Sequence, residues 1–187
     1  QPNASARTLR TQRSRVLGVV LPTLLNPAFA ECLQGIALAA AANGYAILPV
    51  MTSYDEAQEQ QAVAQLLAAG VDGMILVVSS PSDSAALARL RGTGLPYVLA
   101  YNAHPEHPCV SVDGETAAAE AVARLVALGH SRIAMVSGTL TASDRAQQRY
   151  RGYLRGMAAA GLQAPAQVEV PFVTTAVEAL SHYLQSQ

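Results

Sequence analysis

Arg145 closes a polar stretch, SGTLTASDR (137–145), and Arg149, Arg151 and Arg155 follow it. A helix beginning near Ser143 would put Arg145 and Arg149 on one face at i, i+4. A guanidinium there presents a fork of donors suited to hydroxyl pairs, carboxylates or phosphates, while a merely solvated helix face explains the same spacing. Phe29 and Tyr101 stand near the ends of apolar runs, where an aromatic ring is either the floor or wall of a ligand pocket or ordinary core. Asp113 opens a helical stretch, GETAAAEAVARLVA. It reads most simply as an N-cap worth about 1 kcal/mol, to which a ligand role would be additional.

Other chemistries lack their residues. The turn after VLGVVL (16–21) is PTLLNP, without the glycines of a dinucleotide fingerprint. The chain contains no lysine, so a Walker-type phosphate cradle is excluded, and GxSxG is absent as well. His104 and His107 flank Glu106 in HPEHP, but the prolines oppose a helix that would aim both rings at one metal, so an exposed crossover loop is the better reading. His130, after Gly129, suits a charge at a helix C-terminus. Cys32 and Cys109 lie far apart without CxxC spacing, which points to neither zinc nor a disulfide framework. No catalytic set, metal or cofactor is expected.

The elements that must position these residues recur regularly. VLGVVL (16–21), YAILPV (45–50), GMILVV (73–78) and PYVLAY (96–101) are short aliphatic runs. Between them lie AFAECLQGIALAAAAN, DEAQEQQAVAQLLAAG and SDSAALARLRG, with Gly44 and Gly70 where helix-ending glycines are wanted. Asp55 with Gln58 resembles a capping box, and Val63, Leu66 and Leu67 mark one helix face. Such alternation predicts right-handed βαβ units and a parallel sheet covered on both sides.

After the proline-containing NAHPEHP the pattern restarts: CVSV (109–112), a helix over 114–128, RIAMVS (132–137), a helix over about 143–160, VEVPF (168–172) and a last helix. The fold class expected is α/β, with two doubly wound parallel-sheet lobes. The second is incomplete, because three strands leave an exposed edge, so the natural chain is expected to continue. The expected boundaries are a linker over 1–14, a first lobe over 15–102 and a second over 103–187. In open parallel sheets ligands bind beyond the carboxyl ends of the strands, which nominates 22–29, 52–55, 79–82, 101–104 and 137–145 and a cleft between lobes.

With 187 residues and 51% hydrophobic composition the chain can bury a core, and its net charge of −1 excludes a uniformly basic nucleic-acid coat. Yet Arg7, Arg10, Arg13 and Arg15 all precede the first acid, Glu31, so any polyanion contact belongs at the start. The longest apolar stretches are alanine-rich and interrupted by polar residues, so no membrane span is expected. The start also lacks a secretory h-region, and a reducing cytoplasm is the expected location.

PNASARTL, VLGVVLPTLLNPAFAECLQGI, GVDGMILV, VSVDGETAAAEAVARLVALGHSRIAMVSG and RYRGYLRGM together resemble the regulatory core of the LacI/GalR family of bacterial transcription regulators, preceded by that family's hinge helix. The resemblance implies the fold of periplasmic sugar-binding proteins and a homodimer that binds operator DNA. It makes Asn3 to Arg10 a short helix that orders in the minor groove, since so few residues do not repay nucleation alone. Leu9 is then the wedge between base steps, with Arg7 and Arg10 meeting phosphates. A helix-turn-helix is expected ahead of Gln1. Effector contacts carry over to Phe29, Ser80, Asp113 and Arg149. Many members have an aspartate after the fourth strand where this chain has Tyr101 and Asn102, which removes a sugar-hydroxyl acceptor and leaves a sugar, a sugar acid or another small polar metabolite as the effector. The rival reading is a periplasmic sugar-binding protein of an ABC transporter, for which PNASARTLRTQR is an odd leader.

Overall fold

A computed structural model describes residues 13–170, 181 and 185; Asn3, Arg7, Leu9 and Arg10 therefore lie outside the described residues, as does the expected last helix apart from 181 and 185, which are helical. The chain divides into two compact units, Gln1–Val110 and Ser111–Gln187.

The first unit runs β1 (Val16–Leu21), α1 (Pro27–Ala42), β2 (Ala46–Met51), α2 (Glu56–Ala68), β3 (Gly73–Leu76), α3 (Ala85–Thr93), β4 (Tyr97–Ala100) and β5 (Cys109–Val110). Each helix starts where a short polar side chain takes up an orphan N–H. Asn26 accepts from Ala28 N with Pro27 in the first turn, Asp55 from Gln58 N, and Ser84 from Leu87 N. The sheet is parallel in the order β2-β1-β3-β4-β5. Strand alternation then supplies two cores. Val20, Leu76 and Val78 pack with Leu66 of α2 and Leu87 of α3, whereas Val19, Leu21 and Val77 meet Phe29 of α1 on the opposite face. Strands covered on both sides read as continuous apolar runs, which is what the sequence shows.

The expected opening strand of the second lobe, CVSV, belongs to the first sheet instead: Cys109 and Val110 pair with Leu99 and Ala100. The reason is the free edge of β4, whose Leu99 and Tyr101 N–H groups donate to Pro108 O and Val110 O, both at 2.8 Å. Buried backbone donors take the nearest acceptors, and the short connection over 102–108 returns the chain to that edge.

The second unit holds α4 (Gly114–Ala127), β6 (Val136–Gly138), a 3-10 turn (Leu140–Ala142), α5 (Asp144–Ala159) and β7 (Val168–Val170), with β6 and β7 parallel. The strand expected over 132–137 is thus shorter and later. Ile133 is not in a ladder; it is buried with Val122, Tyr153 and Met157, and its carbonyl accepts from Tyr153 Oη at 2.9 Å. The helices touch through Gly152 and Gly156. A Cβ on Gly152 would overlap the Glu115 carbonyl oxygen, and one on Gly156 would lie 2.7 Å from Val122 Cβ. Across the same contact Glu115 receives both Arg151 and Arg155, each at 3.1 Å.

Candidate functional site

In the first unit the chain order reverses at β1, so the loops after β1 and β3 diverge on either side of a switch point, where open α/β sheets bind ligands. Phe29 and Tyr101 meet at this end. Their ring centroids are 5.6 Å apart at 80°, and Tyr54 adds a third ring 6.4 Å from Phe29. Phe29 is buried and packs on Val77 at the end of β3, so it serves as floor to the loops as well as core. Tyr101 stays partly exposed and donates from Oη to Ala28 O at 3.1 Å. Burial, with Cys32 and Glu31 beside it, pushes its phenol up from the ordinary value, keeping it a protonated donor. Ser53, Tyr54 and Tyr101 all hold positive φ, at 51°, 61° and 65°, which concentrates backbone strain after β2 and β4.

Ser80 is partly buried in the loop after β3, and that loop is braced from two directions. Ser79 donates from N and Oγ to Glu59 Oε1 at 2.8 and 2.7 Å. Val78 N donates to Asn102 Oδ1 at 3.0 Å, while Asn102 Nδ2 donates to Val78 O at 2.9 Å. Glu59 and Asn102 are 2% and 0% exposed. Asn102 is therefore committed to the backbone of the neighbouring strand end, and Tyr101 alone of the pair faces outward. Sequence reasoning missed Glu59. Its signal was there: Glu59 sits four residues before Val63 on the apolar face of α2, where a carboxylate must find donors.

In the second unit Asp113 caps α4, accepting from Thr116 N at 2.9 Å. The hydrogen bonds from Thr116 hold its carboxyl below the ordinary carboxylate range, so it is anionic at neutral pH. Next to it, the exposed Arg149 of α5 brings its stem to Gly114: a Cβ there would stand 3.5 Å from Arg149 Cγ. Arg145 has another setting. Its side chain, 11% exposed, pairs with Asp144 at 3.0 Å, so the expected common face of Arg145 and Arg149 resolves into one largely buried guanidinium and one presented to solvent.

HPEHP is used for packing. His107 Nδ1 lies 2.6 Å from Tyr97 Oη, and Arg91 pairs with Glu106 at 3.0 Å. Burial, with His104 and Arg91 nearby, lowers the His107 pKa below its ordinary value. Among the described residues no group of three or more His, Cys, Asp or Glu side chains is arranged to hold a metal, and no helix is long and apolar enough to cross a membrane.

Residues 14–187 match the family model described as periplasmic binding proteins and sugar binding domain of LacI family. Among curated proteins the chain is similar to Catabolite control protein A of Priestia megaterium, 31% identical over 87% of this chain and 49% of that protein. It is also similar to HTH-type transcriptional regulator GntR of Escherichia coli K12, 30% identical over 86% of this chain and 48% of that protein. The chain thus spans about half the length of these relatives. Among solved structures, transcription regulator GntR from Chromobacterium violaceum superposes with a TM-score of 0.81 at 26% identity, covering 92% of this chain and 64% of that one.

Proposed function

The chain belongs to the family of periplasmic binding proteins and LacI-type sugar-binding domains, and from that premise we propose that it is the effector-binding part of a homodimeric, cytoplasmic transcription regulator without catalytic activity. The observation that carries this reading over the transport alternative is the match to regulators, joined to a start in which four arginines precede any acid. Operator DNA is the proposed partner of Asn3, Arg7, Leu9 and Arg10, with major-groove readout supplied by a helix-turn-helix such as the name of Escherichia coli GntR declares.

The effector is a small polar metabolite, a sugar or a sugar acid. Phe29 and Tyr101 offer an aromatic face and a phenol donor, and Ser80 a hydroxyl on a braced loop. Asp113 and Arg149 offer an acceptor and a fork of donors, and Arg145 supports the start of the same helix. An effector that prefers one arrangement of the units shifts the population toward it, and with it the geometry delivered to DNA. About 100-fold differential affinity, roughly 2.7 kcal/mol, makes a useful switch.

The test is a thermal-shift panel of sugars, sugar acids, nucleobases and amino acids on the full-length protein, since a ligand of the native state raises the midpoint. One chemical class is expected to respond. Arg149→Ala should then weaken that response by about 10- to 100-fold in affinity, the worth of a hydrogen bond from a charged group. A response untouched by that change would remove Arg149 from the site. Failure of the full-length protein to enrich any duplex from a random pool would remove the regulator reading itself.

The homodimer rests on an exposed apolar face. Leu38 of α1 is 66% exposed and lines a groove together with Leu24, Leu33 and Ile47. A second copy would cover it, since contiguous apolar surface marks association. Leu38→Glu is expected to convert dimer to monomer in size-exclusion chromatography with light scattering; a variant that elutes and scatters as the wild type would place the interface elsewhere.

A further inference from the structure

Where the chain enters the first sheet, two residues are held far more firmly than an entry segment requires. Ser14 donates from N and Oγ to Asp72 Oδ1 at 2.8 and 2.9 Å, and Arg15 N donates to Asp72 Oδ2 at 3.0 Å. Ser14 Oγ also accepts from Val16 N at 3.2 Å, and Asp72 N returns a bond to Val16 O at 2.8 Å. Arg15 has φ 58°, a left-handed conformation that a non-glycine residue keeps only when its surroundings impose it. From the other side its carbonyl accepts from Ala46 N at 2.9 Å, and its guanidinium lies 5.2 Å above the Tyr45 ring. The entry is therefore pinned by the turn before β3 and by the start of β2, the two strands that flank β1.

A carboxylate with both oxygens engaged by three donors is a strong anchor, because hydrogen bonds to a charged acceptor are about twice as strong as neutral ones. Its position matters more than its strength. The basic residues that precede Ser14 can follow a movement of the first unit only if the joint between them does not swivel. We propose that Asp72 is a positioning residue for DNA binding: by clasping Ser14 and Arg15 it sets the direction in which the preceding basic segment leaves the sheet, so operator affinity depends on a carboxylate that does not touch DNA. This rests on the regulator reading above.

The experiment uses the full-length protein, the variants Asp72→Ala and Asp72→Asn, and as a control Asp55→Ala, which removes a helix cap in the same unit. Three quantities are read: the rate of trypsin cleavage after Arg13 and Arg15 by mass spectrometry, the thermal midpoint, and the dissociation constant for a duplex that the wild type enriches from a random pool. Asp72→Ala is expected to speed cleavage at these two bonds about tenfold or more, as loss of a local anchor raises the open population. It should weaken duplex binding by a similar factor, with a midpoint no lower than that of Asp55→Ala. Asp72→Asn, keeping one carbonyl acceptor, should fall between. Faster cleavage with unchanged DNA affinity would overturn the proposal, leaving Asp72 a structural anchor only, and so would an equal loss of affinity in Asp55→Ala. If the wild type enriches no duplex, the regulator reading falls and the proposal with it, an outcome distinct from the other two.

Discussion

Replacing Gly152 with alanine is expected to destabilise the second unit by about 3 kcal/mol net, lowering its thermal midpoint by roughly 12–24 °C for a unit of this size. A helix interior ordinarily gains about 1 kcal/mol from this substitution, and here the gain is overwhelmed. The added Cβ would overlap the Glu115 carbonyl oxygen and come within 2.9 Å of Ala118 Cβ; the obstacle is helix backbone, which cannot rotate away as a side-chain tip can. To relieve it α4 and α5 must separate, which unseats Arg151 and Arg155 from Glu115 and moves Asp113, at the start of α4, away from Arg149. The effector response should therefore weaken even at temperatures where the unit remains folded. Gly92→Ala is the control. It lies in α3 with nothing within 4 Å of its would-be Cβ, so circular dichroism should show it unchanged or stabilised by up to about 1 kcal/mol. A Gly152→Ala melt that coincides with the wild type would mean that the helices do not meet at this residue.

That contact shows what a one-dimensional reading leaves out. Gly152 and Gly156 stand four apart in RYRGYLRGM, visible as a motif but silent about which backbone comes close. Local chemistry was far more legible: β1 spans Val16–Leu21 as its apolar run predicts, Asp55 and Asp113 accept the cap bonds expected of them, and a helix opens at Ser143, because a cap needs only residues within three positions. Pairing partners were less so. Cys109 and Val110 resemble the first strand of a new lobe by type and by the proline loop before them, and only the unpaired edge of β4 decides their sheet. The site behaves the same way. Phe29 and Tyr101 could be nominated because strand ends are local features, whereas their edge-to-face contact, and the pairing of Arg145 with Asp144, depend on side-chain directions that spacing does not encode. Glu59 is the instructive omission. A glutamate in EAQEQQ reads as solvated until the face it shares with Val63 and Leu66 is seen to be buried.

Asn102→Asp carries the second large effect, and its sign runs against a reading from the family pattern. An aspartate after the fourth strand looks like a restored sugar acceptor, but position 102 faces inward. Asn102 is fully buried and exchanges two hydrogen bonds with Val78, accepting from its N and donating to its O. An ionised aspartate keeps the first and sets an oxygen against the Val78 carbonyl at a fully buried position, a loss of about 3–5 kcal/mol. Protonated, the same carboxyl donates to that carbonyl and most of the loss disappears. Its folded pKa must therefore lie above the unfolded value of about 3.9. Between those values the folded state binds the extra proton, so stability falls as pH rises above about 4 and returns below it. Denaturant melts at pH 4 and pH 7.5 should show the variant near wild type at the lower pH and far below it at the higher. Equal melts at pH 7.5 would dissolve the brace. Tyr101→Asp makes the complementary case. Residue 101 is partly exposed, its φ of 65° suits aspartate better than tyrosine, and the bonds to Val78 are untouched. That variant should lose the ring contact with Phe29 yet keep the first unit folded, and it, rather than Asn102→Asp, is the one expected to bring neutral sugars into the thermal-shift response.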